Sequence, residues 1–112
     1  MKKLQFRGTS LDGIRRWPET VRRRVGQELR LVELGENPVH YRPMNAVGAG
    51  VFEIKIRDAT GQYRVFYVAR FEEAVYVLHA FEKKTKKTDD NDIEIGRRRY
   101  RELIEERSRK KK

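Results

Sequence analysis

Lys55 and Arg57 stand two residues apart in a run, residues 51–57, whose apolar and polar side chains alternate. In a β-strand that spacing puts both cations on one face. Arg64 follows one turn later, near the start of the next strand-like run, and Lys83 and Lys84 leave the end of the last one. If these runs are neighbours in a sheet, the cations can converge; the spacing alone leaves open whether their faces match. A converged cluster would clamp a phosphate, because arginine offers paired donors to phosphate oxygens and lysine a point charge. On a scissile RNA linkage the same cations would stabilise the negative charge that builds in the transition state. The neighbouring 2′-hydroxyl is a built-in nucleophile, so the protein would supply positioning, charge and proton transfer. The alternative is a set of rim charges whose stems cover apolar surface.

Several groups are candidates for moving the proton. His79 carries an imidazole suited to a base, but it sits in an apolar run where a hydrogen-bonded core role is the alternative. Glu53 shares the alternation face of Lys55 and Arg57 and reads as a base or as their salt-bridge mate. A lysine whose pKa is depressed by other cations is a further choice. His40 falls in a loop with no partner to name. Lys84, Lys86 and Lys87 make a basic loop suited to RNA phosphates. Phe81 beside it can stack on a base, as can Tyr63 and Tyr67, although strand aromatics also build cores. The triplets Arg22-Arg23-Arg24 and Arg97-Arg98-Arg99 occupy successive helical directions, so they read mostly as solvated faces with some scope to grip RNA or an acidic partner. No Gly-rich phosphate loop, Ser-His-Asp set or metal-ligand spacing is present.

The elements that would position these residues follow from periodicity. Residues 3–7 alternate as a short strand, with Leu4 and Phe6 on one side. Ser10 or Asp12 can cap a short helix ending before Pro18. Pro18 and Glu19 open a second helix, whose stripe is Val21, Val25, Leu29 and Val32. Trp17 reads as a plug between the two helices. Residues 39–50 read as a loop. Residues 51–57, 63–71 and 74–81 read as three strands, the first two joined at Asp58-Ala59-Thr60-Gly61. Thr88 or Asp89 can cap a final helix with a stripe of Ile93, Tyr100, Leu103 and Ile104, weakened at Gly96 by about 1 kcal/mol relative to alanine. The expected fold class is α+β: an N-terminal strand and two helices, then a three-stranded antiparallel meander and a C-terminal helix. Residues 1–106 form the domain and residues 107–112 a mobile basic tail.

Composition narrows the classes. The 112 residues suffice for one domain. Lys plus Arg number 27 against 17 Asp plus Glu, giving a net charge of +10. That charge sits in the flanks: residues 1–50 and 82–112 each carry net +5, and residues 51–81 are neutral. Such a field attracts polyanions. Absence of cysteine excludes disulfides, thiol catalysis and cysteine-ligated zinc. With two histidines, no metal site or cofactor is expected. No apolar run is long enough to span a bilayer, and no apolar stretch follows Lys2 and Lys3, so the expectation is a cytoplasmic protein without a signal peptide.

The runs Pro43-Met44 through Gly48-Ala49-Gly50-Val51-Phe52-Glu53-Ile54-Lys55-Ile56-Arg57, Tyr63-Arg64-Val65-Phe66-Tyr67-Val68 and Val75-Tyr76-Val77-Leu78-His79-Ala80-Phe81-Glu82-Lys83-Lys84-Thr85 resemble the RelE/ParE superfamily of type II toxin–antitoxin toxins, in its HigB-like, phage-protein-like branch. The resemblance covers about residues 3–106. It implies a RelE-like fold and a metal-independent, ribosome-dependent mRNA endoribonuclease that cuts through 2′-hydroxyl attack. By position, Lys55 matches a family lysine, Arg64 the arginine that opens the third strand, Lys83 a position where many members have arginine, and Arg57 a frequent basic position. The implied partners are the ribosome, mRNA and a cognate helix-turn-helix antitoxin. Glu53 departs from the pattern, since some members have lysine there. No matching C-terminal catalytic tyrosine is evident; Tyr100 reads as core. Two other functions remain compatible: ParE-like inhibition of DNA gyrase, and nucleic-acid binding without cleavage by a basic phage protein.

Overall fold

Alternating side chains make the sheet, and helical stripes cover its two faces. The computed structural model describes residues 1–84 and 86–110. Its elements are β1 (Lys3–Phe6), α1 (Ser10–Arg15), α2 (Glu19–Glu33), β2 (Tyr41–Pro43), β3 (Val51–Asp58), β4 (Gly61–Val68), β5 (Ala74–Lys83) and α3 (Asp90–Lys110). The strands form one mixed sheet in the order β1-β5-β4-β3-β2. β1 runs parallel to β5, and every other neighbouring pair is antiparallel. The α+β class read from the sequence thus takes the form of five strands and three helices. No helix among the described residues is long and apolar enough to cross a membrane.

On one face α2 buries its stripe, Val21, Val25, Leu29 and Val32, against Ile54, Ile56, Val65, Tyr67, Val75 and Val77. Trp17 joins this layer, its ring 4.9 Å from that of Tyr63. On the other face Leu103 of α3, with Ile93, Tyr100 and Ile104, covers Val51, Phe66, Val68 and Leu78. β4 is apolar on both sides because both layers meet it. Each such aliphatic side chain contributes about 1.5–3 kcal/mol on full burial.

Gly96 is the contact point of α3 rather than its weak point. A Cβ there would stand 2.9 Å from Phe66 and 3.0 Å from Val47. The helix lies so close to the sheet that any side chain would force it away. Tyr100 does the neighbouring job: its ring lies against Gly48, and its hydroxyl donates to the Ala49 carbonyl at 2.8 Å.

Several expectations are corrected. The stretch 39–50 contains β2, a three-residue edge strand opposite Phe52, Glu53 and Ile54. It is short and ends in Pro43, which an edge tolerates because no partner needs its missing N–H. The second meander strand ends at Val68, not at residue 71, and the third continues through Lys83. Ser10 does not cap α1: it is the helix's first residue, buried, with its hydroxyl on the Val77 carbonyl at 3.3 Å. For α3 it is Asp89 that accepts the Asn91 N–H, at 2.8 Å, while Thr88 points elsewhere. The tail expected from residue 107 is helical through Lys110. Arg107 bonds Glu73 at 2.6 and 3.1 Å and lies 3.7 Å over the Phe71 ring. That hydrogen bond is the main reason the Glu73 carboxyl is held down to about 2. Lys111 and Lys112 lie outside the described residues, as does Thr85.

Candidate phosphate-binding face

Residues paired across neighbouring antiparallel strands share a face. The register therefore gives three rows on the α3 side: Glu53–Phe66–His79, Lys55–Arg64–Phe81 and Arg57–Gln62–Lys83. The first row is closed by the start of α3, where Asp92 reaches His79. The next two carry the cations, so Lys55, Arg57, Arg64 and Lys83 stand on one face.

Lys83 reaches this face through an irregularity. Phe66 pairs with His79 but Tyr67 pairs with Val77, so Leu78 is an extra residue in β5. Such a bulge shifts the alternation by one. Tyr76 and Leu78 share the α3 side with His79 and Phe81; without the bulge Lys83 would face the α2 side.

Lys55 and Arg64 are directly opposite each other, an arrangement that like charges disfavour. One carboxylate partly compensates Arg64. Glu53 is fully buried, its Oε1 accepting from Arg42 Nε at 2.7 Å and lying 3.8 Å from Arg64 Nε. Thr88 donates to the other oxygen at 3.4 Å and accepts from Arg42 at 3.1 Å. Arg64 is 6% exposed, and its Nη1 and Nη2 donate to the Tyr63 carbonyl at 3.2 Å and Gln62 Oε1 at 3.0 Å. Its Nε has no hydrogen-bond partner. Burial is the main cause holding the Arg64 pKa below the ordinary arginine value, with Arg42 and Arg57 adding to it against Glu53. Burial, then Arg64, likewise hold Lys83 below the usual lysine value. Among the described residues no carboxylate pairs with Lys55, Arg57 or Lys83.

Lys55, Arg57 and Arg64 line a cleft of about 380 Å³ together with Arg24 and His40. A second cleft, of about 210 Å³, is lined by Lys83, Lys84, Lys87, Phe81 and the carboxylates Glu82, Asp89 and Asp92. Lys86 is exposed on the same loop. A phosphodiester laid beside Arg64 would meet Lys55, Arg57 and Lys83, cations whose mutual repulsion an anion relieves without displacing a carboxylate from them.

Phe81, expected to stack on a base, lines the second cleft while being 8% exposed, and its ring packs at 5.1 Å against both Phe66 and His79. Tyr63 and Tyr67 are core on the opposite face. Glu53 shares the face of Lys55, as expected, and is sealed beneath Arg42. His79 Nε2 bonds Asp92 at 2.8 Å, which joins β5 to α3. Four of the six triplet arginines, Arg22, Arg23, Arg97 and Arg98, are exposed, as expected, and three of the six also hold backbone carbonyls. Arg24 donates to the Arg57 carbonyl at 2.7 Å, Arg97 to the Ala46 carbonyl at 2.6 Å and Arg99 to the Leu78 carbonyl at 2.9 Å. Sequence reasoning gives Arg42 no role and Thr88 only that of a cap, names His40 without a partner, and reads Arg24 only as part of a basic triplet. A signal existed for two of them: His40 and Arg42 alternate with Tyr41 as a strand would.

Burial pushes the His79 pKa below its ordinary value, outweighing Asp92; Arg99 and Arg98 push the same way. The unfolded chain therefore takes up this proton first as pH falls. Stability is fully present above about pH 6.5 and is lost as pH falls through the lower native value. Urea unfolding at pH 7.5, 6.5 and 5.5 should show this decline, and His79→Gln should flatten it. An unchanged slope in that variant would remove His79 as the cause.

No curated protein matches the chain. The family model described as phage derived protein Gp49-like (DUF891) matches residues 12–101, a stretch that contains Lys55, Arg57, Arg64 and Lys83 and every strand but β1. With most of its length under that match, the chain belongs to the Gp49-like family, which is a family of RelE/ParE-like toxins.

Proposed function

We propose that this toxin is a ribosome-dependent mRNA endoribonuclease of the HigB-like branch, acting in the cytoplasm and neutralised by a helix-turn-helix antitoxin that covers the cationic face. The observation that carries this reading is the pair Lys55 and Arg64, directly opposed beside Arg57 and lining one open cleft. Arg64 and Arg57 clamp the scissile phosphate. The 2′-oxygen attacks phosphorus and loses its proton; the bond to the 5′-oxygen breaks and that oxygen gains one. The products are a 2′,3′-cyclic phosphate and a 5′-hydroxyl end. Lys55 and Lys83 handle charge and protons, a role that the depressed pKa of Lys83 supports. Lys84, Lys86, Lys87 and the basic helix faces grip ribosomal RNA through its phosphates.

Induced expression followed by mapping of transcript 5′ ends tests the proposal. Cuts within translated mRNA that carry 5′-hydroxyl ends are the expected result. Gyrase-linked DNA breaks with intact transcripts, or salt-sensitive RNA binding with no cuts, would overturn it.

A further inference from the structure

Cleavage by displacement at phosphorus needs a proton acceptor and a proton donor on opposite sides of the phosphate, because the attacking and leaving oxygens lie in line. Seen from Arg64, Lys83 lies on the β5 side, one strand away. The opposite side is the β2 edge, and there the chain places His40. Its carbonyl accepts the Lys55 N–H at 2.9 Å, which extends the β2–β3 ladder by one residue and sets His40 opposite Lys55. The same register puts its side chain on the cationic face, where it lines the cleft with Arg24, Lys55, Arg57 and Arg64. Just before it, the Val39 N–H is held by Glu28 Oε2 at 2.8 Å, which ties this segment to α2.

We infer that His40 is a catalytic residue of this cleft, the general base that takes the 2′-hydroxyl proton while a cation across Arg64 protonates the leaving 5′-oxygen. This rests on the nuclease reading above. The proton balance closes: the imidazole gains the proton that the 2′-oxygen loses, the ammonium of Lys83 gives one to the 5′-oxygen, and exchange with water resets both. The charged groups facing His40 are Arg24 from α2, Lys55 and Arg57 from β3 and Arg64 from β4. A base at this place must hold a neutral imidazole, whose free ring nitrogen accepts the proton. The structural work at this position is done by the backbone carbonyl, and the side chain is exposed. Removing the imidazole should therefore spare the fold.

The test is single-turnover cleavage of ribosome-bound mRNA across pH 5–9 by the wild type, His40→Gln, His40→Asn and Arg64→Ala, each with its melting temperature. The expected result is a loss of about 10²–10⁴-fold in rate for both His40 variants. Affinity and melting temperature should stay near wild type. The acid limb of the rate profile, which histidine places between about pH 5 and 8, should vanish, and added imidazole should restore part of the rate. A wild-type rate and unchanged pH profile in both His40 variants, with Arg64→Ala inactive, would overturn the role of His40 and leave the nuclease reading standing. Absence of cleavage by the wild type itself would overturn both.

Discussion

Arg64→Ala should abolish growth arrest on induction and slow mRNA cleavage by at least about 10²–10³-fold, the usual cost of removing one preorganised donor to a developing anionic oxygen. The expectation rests on how Arg64 is held. Its Nη1 and Nη2 are turned to the Tyr63 carbonyl and Gln62, and its Nε has no hydrogen-bond partner. The guanidinium is thus fixed before substrate arrives and needs little reorganisation when charge develops. Arg64→Lys should recover a minor part of the rate, since lysine keeps the charge and loses the planar fork. Loss of stability is not the expected cause. Glu53 keeps its 2.7 Å bond to Arg42 and its contact with Thr88 when Arg64 is gone. Circular dichroism and melting of Arg64→Ala should therefore report a folded protein. Undiminished cleavage by that folded variant would mean that the cationic face is not the reacting site.

How much of this face could be read from the sequence depends on which physical signal carries each residue. Strict alternation placed Glu53, Lys55 and Arg57 together, because period two survives in β3 without interruption. The α2 stripe was equally plain, since Val21, Val25, Leu29 and Val32 all pack into one layer. Lys83 was another matter. Its side depends on the extra residue at Leu78, and an uninterrupted apolar run such as that of β5 carries no mark of a bulge. Phe81 depends on a related signal: the sequence shows its place beside a basic loop, whereas its packing against Phe66 and His79 is made only by the fold. Arg42 and Thr88 lie 46 positions apart and meet only in the folded chain. Three residues of edge strand, Tyr41–Pro43, give periodicity only a weak signal, and the sequence alone does not set His40 opposite Lys55. Gly96 shows the converse, a residue whose helix propensity argued for weakness while the close packing of α3 on Phe66 requires it.

Glu53 is expected to be the largest single determinant of stability within the site. Glu53→Gln should lower the unfolding free energy by about 3 kcal/mol, the low end for removing one partner of a buried ion pair. The low end applies because the two cations differ. Arg42 has a side chain 42% exposed and can return to water, whereas that of Arg64 is 7% exposed and cannot. With about 4–8 °C per kcal/mol for a domain of this size, the melting temperature should fall by about 12–24 °C. Repulsion among Lys55, Arg64 and Lys83 supplies a signature that simple loss of packing lacks. Sulfate or phosphate should raise the melting temperature of Glu53→Gln more than that of the wild type, because an anion in the open cleft offsets positive charge that the buried carboxylate no longer balances. The double variant Glu53→Leu with Arg64→Met should lose less than the two single changes together, since it removes the buried charge along with its partner. A Glu53→Gln protein that melts within a degree or two of wild type, with no extra response to anions, would mean that the cations tolerate one another without it. In that case the carboxylate would be free to serve as something other than the counter-charge beneath the clamp.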